Sequence, residues 1–140
     1  MKRILVGVDG SPEAELAADK AADLAMATGA SLQLMYVVPP RLPPGPAAYL
    51  SEVERRDLIE HDYVPGLLRT LEIRCRRPGL AVDTATGIGP VAEALADTAA
   101  EGFDLVVVGP RGRGAITRTL LGSIAKRLIQ ISPRPVLVVR

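Results

Sequence analysis

The sequence predicts an α/β protein built on a doubly wound, five-stranded parallel sheet of Rossmann-like type. Three observations predict it. Short apolar runs alternate with longer helical patterns along the chain, as in parallel strands joined by right-handed crossovers. Several of the runs are almost unbroken Val, Ile and Leu, as in strands covered on both faces. Turn-forming residues fall where strands should give way to helices, at Asp9-Gly10-Ser11-Pro12, at Gly87-Ile88-Gly89-Pro90 and from Gly109 to Gly114.

Each element has its own warrant. Ile4-Leu5-Val6-Gly7-Val8 reads as the first strand. Ser11 is a natural N-cap, Pro12 suits the first helical position, and Glu13 and Glu15 complement the helix dipole, so a helix should run to about Thr28 and stop at Gly29. Its inner face is mostly alanine (Ala14, Ala17, Ala18, Ala21 and Ala25, with Leu24), which permits close approach to a sheet. Leu32 to Val38 is the second strand, and the proline-rich stretch 39–46 is a stiff surface loop. A helical region covers about 47–76, with a kink or break expected near Val64 because Pro65-Gly66 interrupts it, and Pro78-Gly79 ends it. Residues 81–86 form a short strand, Gly87 to Pro90 a turn, and Val91 to about Glu101 a helix. Leu105 to Val108 is the fourth strand. Gly122-Ser123 opens a helix from Ile124 to Ile131, with Ser123 at the expected N-cap, and Val136 to Val139 is the last strand.

At 140 residues the chain has the size of one domain, 1–140, and its 48% apolar content supports a packed core rather than disorder. The net charge of +1 argues against a bulk polyelectrolyte partner. The charge is uneven, however. From Leu105 to Arg140 there is no Asp or Glu, and Arg111, Arg113, Arg118, Lys126, Arg127, Arg134 and Arg140 give +7, leaving −6 for the first 104 residues. A local positive field on the glycine loop favours a small polyanion there, although a solvated basic face would look the same. Nucleic acid is disfavoured, since Phe103 and three tyrosines are the whole aromatic content. Cys75 is the single cysteine, which excludes an intrachain disulfide and suits a reducing compartment. His61 is also alone and has no metal-ligand spacing around it. The apolar run after Met1-Lys2-Arg3 is too short for a signal segment, and no run reaches membrane-spanning length. A soluble cytoplasmic protein without a membrane partner is expected.

The chemistry concentrates between Gly109 and Ile124. An apolar strand stops at Gly109, a glycine- and arginine-rich loop follows, and Gly122-Ser123 opens a helix. Glycines let backbone N–H groups approach a phosphate, and a helix N-terminus offers unpaired donors with partial positive charge. The P-loop pattern is absent, because neither Gly109 nor Gly114 leads into the required Gly-Lys-Ser/Thr. The dinucleotide fingerprint fails too, since Thr117 stands where its last glycine belongs. A phosphorylatable receiver would need clustered acidic residues at the first strand's end, where Asp9 stands alone. In a doubly wound sheet the ligand crevice lies beyond the carboxyl ends of the strands, so Val8-Asp9, Val37-Val38 and Gly109 should converge.

The spacing Gly109-x2-Gly112-x9-Gly122-Ser123 resembles the signature of the universal stress protein family, specifically its ATP-binding branch. The resemblance extends over nearly the whole chain: Ile4 to Ser11, Tyr36-Val37-Val38, the turn Gly89-Pro90 and the closing Pro135 to Val139. It implies an adenine nucleotide α-hydrolase-like sheet with the Rossmann-type strand order 3-2-1-4-5. It also implies ATP, with Mg²⁺, as ligand. On this resemblance Asp9 approaches the ribose and a divalent ion on the phosphates, Val8 flanks the nucleotide by its backbone, and the Val37 backbone pairs with the adenine edge. Gly109 and Gly112 cradle ribose and phosphate, Gly122 with Ser123 binds the distal phosphates, and Ile124 lends its N–H. A homodimer through the strand Val136 to Val139 is implied as well.

The residues themselves leave alternatives open. Asp9 would also serve its own turn, Val37 would also serve a plain core strand, and Ser123 would also serve as a helix cap. Arg111 and Arg113 would either clamp phosphate or face solvent. Pro110 replaces the small hydroxyl residue common in the family after the first signature glycine and brings no N–H. Tyr36 stands where the family often has histidine. No nucleophile–base pair or carboxylate cluster is evident. The expectation is therefore an ATP-binding regulatory module of the stress response with hydrolysis slow or absent. A weak ATPase, or a dimer that binds no nucleotide and works through an unknown protein partner, are the alternatives.

Overall fold

The computed structural model describes residues 1–41, 50–111 and 121–140. Five strands, β1 (Arg3–Val8), β2 (Ser31–Val38), β3 (Val82–Ile88), β4 (Leu105–Val108) and β5 (Val136–Val138), form one sheet in the order β3-β2-β1-β4-β5. Every pairing is parallel, with Val8 beside Tyr36, Val6 beside Val107, and Val108 beside Val138. Among the described residues the helices are α1 (Pro12–Thr28), α2 (Glu52–Leu58), α3 (Val64–Cys75), α4 (Val91–Ala99) and α5 (Ser123–Ile131). The expected fold class and strand order are those observed.

Two apolar layers sandwich the sheet. Alternate residues of β1 point to opposite faces: Ile4, Val6 and Val8 join the layer under α1 and α3, whereas Leu5 joins the layer under α4 and α5. Leu5, Leu32, Leu34, Leu95 and Leu128 are fully buried or nearly so. Side chains of this size contribute about 1.5–3 kcal/mol each on burial. α1 buries Ala14, Ala17, Ala18, Ala21, Ala22 and Ala25, and these short side chains let its backbone lie close over β1 and β4. Ser11 caps its start and Gly29 its end, where the Gly29 N–H donates to the Ala25 carbonyl.

Local departures from the sequence reading have physical causes. β3 continues through Gly87 and Ile88, which pair with Val37 and Val38. A Cβ at Gly87 would sit 2.6 Å from Met35 Cε, so the glycine leaves room for that side chain and the strand runs past it. α4 ends at Ala99 rather than Glu101. The disturbance expected near Val64 is a π turn, Ile59–Tyr63, lying just upstream of Pro65. Proline has no N–H and its ring crowds the carbonyl four residues back. The helix widens there, and the Val64 N–H donates to the Ile59 carbonyl five residues earlier. The helical region begins at Glu52, capped by Ser51, while residues 42–49, including most of the proline-rich stretch, lie outside the described residues.

At the amino end of the sheet, Asp104 holds the start of β1. Its Oδ2 accepts from the Lys2 N–H at 2.7 Å and the Arg3 N–H at 3.0 Å, and its own N–H donates to the Arg3 carbonyl. The Arg3 guanidinium lies 4.0 Å from the Phe103 ring centroid and donates to the Glu101 carbonyl. The two backbone donors pull the Asp104 carboxyl below its ordinary value of 3.8. A carboxyl depressed by folding stabilises the native state above its unfolded value, and that contribution disappears as pH falls through the folded value. Asp104→Asn should therefore lower the melting temperature at neutral pH. Thermal scans should show the gap to wild type closing as pH drops below 3.8.

Candidate functional site

The strand order reverses between β1 and β4. From β1 the chain proceeds outward to β2 and β3, and it then returns to place β4 and β5 on the other side. The carboxyl ends of β1 and β4 thus flank the switch point, where doubly wound sheets open a crevice. Val8 and Val108 are buried on either side of it, and Val37 is buried on the neighbouring strand.

The β1–α1 turn is held by a relay of hydrogen bonds. Asp9 Oδ1 accepts from the Ser11 N–H at 2.9 Å and from the Ser11 hydroxyl at 2.6 Å. The Ser11 Oγ in turn accepts from the Ala14 N–H at 3.2 Å. Ser11 is only 4% exposed, so the relay is shielded and the cap is firmly placed. Asp9 therefore does serve its own turn, and the relay also fixes the direction of its carboxylate.

Gly10 has φ +85°, a conformation that L side chains rarely adopt, and the Tyr63 hydroxyl occupies the place a Cβ would take. Tyr63 is the last residue of the π turn. Its ring stands edge-on to Tyr36, with centroids 6.3 Å apart and planes at 83°. A phenol from the long helical region thus covers the residue next to Asp9. Tyr63 was not among the candidates from the sequence, because its place here depends on contacts with Gly10 and Tyr36 that only the fold creates.

Across the crevice, Gly109 lets the chain leave β4 against α1. A Cβ there would lie 3.2 Å from the Glu13 carbonyl carbon, carbonyl oxygen and Cβ. Pro110 is buried, and its carbonyl accepts from the Gly122 N–H at 2.7 Å, drawing the two ends of the glycine loop together. Arg111 Nη2 donates to Glu13 Oε1 at 3.0 Å, with the side chains 13% and 33% exposed. Arg111 is therefore neither a solvent-facing cation nor a bare one. It bridges the loop to the first turn of α1. Gly112 and Arg113 lie outside the described residues.

Ser123 is not the N-cap of α5. Gly122 takes that position with φ −70° and ψ 164°, and Ser123 is the first helical residue, with no side chain capping the helix among the described residues. The backbone of Gly122 is extended, so its conformation does not require glycine. Ser123 and Ile124 carry first-turn N–H groups, which have no acceptor within the helix itself. Lys126 and Arg127 follow in the same helix. Arg127 Nε donates to Glu93 Oε1 at 2.9 Å, and this bond holds the Glu93 carboxyl below its ordinary range.

The other reactive side chains stand apart. Cys75 is fully buried under α1, its Sγ donating to the Ala18 carbonyl at 3.6 Å, and burial pushes its thiol up to about 11. A thiol so protonated is a poor nucleophile. His61 is exposed and lies 3.1 Å from Asp57 Oδ1 on the same helical stretch. Among the described residues no three His, Cys, Asp or Glu side chains cluster as metal ligands, and no helix is long and apolar enough to cross a membrane.

The chain matches the universal stress protein family over residues 1–140. It is 31% identical to a universal stress protein of Mycobacterium tuberculosis, an alignment covering 97% of this chain and 47% of the relative. The chain thus spans about half the length of the mycobacterial proteins it matches. It is 34% identical to a Synechocystis universal stress protein over 99% of this chain and 85% of that one. Among solved structures, the universal stress protein UspA of Lactobacillus plantarum superposes with a TM-score of 0.86 at 26% identity, covering 99% of this chain and 97% of that one. A universal stress protein solved in complex with cAMP superposes with a TM-score of 0.74, also at 26% identity, covering 99% and 96%.

The strain that Gly10 relieves can be measured. Gly10→Ala should cost about 1–3 kcal/mol, because the alanine must hold a left-handed backbone and displace the Tyr63 hydroxyl. Urea denaturation of the variant should show the loss. A second substitution, Tyr63→Phe, should recover part of it by removing the hydroxyl from the Cβ position.

Proposed function

Because this chain belongs to the universal stress protein family, we propose that it is an adenine-nucleotide-binding module of the stress response, with ATP as its ligand and a regulatory rather than catalytic role. One observation carries the reading. At the switch point, the first turn of α5 has no side-chain cap among the described residues, and a glycine that the backbone conformation does not need precedes it. With no side chain of its own, Gly122 does not itself cover the Ser123 and Ile124 N–H groups, which suits a phosphate. The family member solved with cAMP supports an adenine nucleotide as the class of ligand.

The roles follow from position. Ser123 and Ile124 would meet the distal phosphates by their N–H groups, and the Ser123 hydroxyl would add a donor. Gly109, with Gly112 and Arg113 beyond the described residues, would border the ribose and phosphates. Arg111 would supply positive charge. Val8 and Val37 would offer main-chain groups beside the base, at the ends of β1 and β2. Asp9, its carboxylate directed by the Ser11 relay, would meet Mg²⁺ carried on the phosphates. Bound Mg²⁺ would neutralise phosphate charge. Among the described residues we identify no side chain placed to activate an attacking water, so hydrolysis would be slow or absent. The edge strand β5 leaves Leu137 38% exposed, and this supports pairing with a second copy of the chain along that edge. Residues 1–140 would act as one domain in the cytoplasm.

A second reading has its own support. The Gly122 N–H is already bonded to the Pro110 carbonyl, and Arg111 is already paired with Glu13. The loop ends are therefore held without any ligand. A family member that works through protein partners alone would be built the same way.

Isothermal titration calorimetry with Mg-ATP separates the two. The nucleotide reading expects saturable binding that Gly122→Val weakens by tenfold or more, a loss of at least about 1.4 kcal/mol. The extended backbone at Gly122 accepts valine, so the variant should melt close to wild type. No binding by the wild-type chain would favour the partner-only reading. Sedimentation at micromolar concentration should report a dimer.

A further inference from the structure

Glu13 lies outside the glycine signature, yet the structure brings it to the mouth of the loop. It belongs to the first turn of α1, and its backbone is the surface against which Gly109 passes, 3.2 Å from where a Cβ would stand. Its carboxylate takes the Arg111 guanidinium at 3.0 Å. Arg111 is only 13% exposed, so the pair is well shielded on the cation's side, while Glu13 keeps 33% exposure. The helix start does not need Glu13 as a cap, because Ser11 already caps α1.

A guanidinium pairs as readily with a phosphate as with a carboxylate, through the same fork of donors. A phosphate arriving at the loop therefore meets a cation already engaged, beside a carboxylate of its own sign. We propose that Glu13 is a specificity-determining residue of the crevice: it competes with the ligand's phosphates for Arg111, and so narrows the advantage that a phosphorylated nucleotide holds over its nucleoside. This rests on the nucleotide reading above. A ligand with several phosphate charges competes effectively for Arg111, and a monophosphate does so less well. A nucleoside leaves the pair intact. Glu13 thus lowers affinity by up to the worth of the ion pair, most for a ligand whose phosphates take Arg111 from it and not at all for a nucleoside.

The sign of this effect sets it apart from a structural role. Removing a structural ion pair loosens the loop and weakens binding, whereas removing a competitor strengthens it. The test is calorimetric titration of the full chain with ATP, AMP and adenosine, for wild type, Glu13→Gln, Arg111→Gln and the double variant, with Glu13→Ala as a second form of the first. Glu13→Gln should bind ATP about fivefold more tightly, the worth of one partly exposed ion pair. It should leave adenosine unchanged and lose its advantage in the Arg111→Gln background. Glu13→Ala should shift ATP binding in the same direction. Wild-type ATP binding that both Glu13 variants leave unchanged or weaken would overturn the competitor role and leave the nucleotide reading standing. An equal gain for adenosine, or a gain that persists without Arg111, would overturn it as well. Absence of ATP binding in every variant would remove both readings together.

Discussion

The constraint on which the molecule depends is the parallel sheet itself. Parallel pairing puts every strand-to-helix junction at one edge, so the N-termini of α1, α4 and α5 all open on the same side. Each such start leaves backbone N–H groups without intrahelical acceptors. The chain deals with them differently. At α1 the Ser11 hydroxyl caps the helix, itself bonded to Asp9. Among the described residues α4 and α5 have no side-chain cap, but α4 follows the edge strand β3, away from the reversal of strand order. α5 follows β4 at the reversal. The proposed phosphate role rests on the first-turn donors of this helix and the basic residues that follow them.

The rest of the structure holds that edge still. Asp104 and Arg3 tie the amino end of β1 to the segment entering β4, so the central strand pair is fixed at the end remote from the crevice. Arg74 joins α3 to α1 through Asp19 at 2.7 Å and Glu15 at 2.8 Å. These pairs are well exposed and weak singly. Their geometry nonetheless favours the alignment of α3 with α1, and α3 follows directly from the π turn that sets Tyr63 over Gly10. Arg56 donates to the carbonyls of Pro39 and Pro40, anchoring the chain as it leaves β2. The crevice is thus framed by rigid elements, with variable chemistry placed on the loops between them.

Much of this was legible in the sequence, for identifiable reasons. The strands were readable because Ile4 to Val8, Leu32 to Val38 (broken by Gln33) and Leu105 to Val108 carry short, nearly unbroken apolar runs bounded by turn residues, as doubly covered strands do. α1 was readable to its caps because Ser11, Pro12 and Gly29 act locally. What escaped depended on contacts between distant residues. Glu13 looked like an ordinary first-turn acid, and only the fold brings it to Arg111, 98 residues away. Tyr63 looked like one more helical residue, since the widening before Pro65 depends on how the helix accommodates the missing N–H. Ser123 was assigned the cap because serine favours that position, but the chain places Gly122 there instead. Gly112 and Arg113, on which part of the signature rests, lie outside the described residues.

The most direct test of the phosphate role assigned to the start of α5 is a backbone-amide NMR titration of the full chain with Mg-ATP. The account predicts large, saturable shifts at the Ser123 and Ile124 amides, with little change at Asp104 and Arg3 on the far edge of the sheet. Saturable binding that leaves Ser123 and Ile124 unmoved while other amides shift would contradict it.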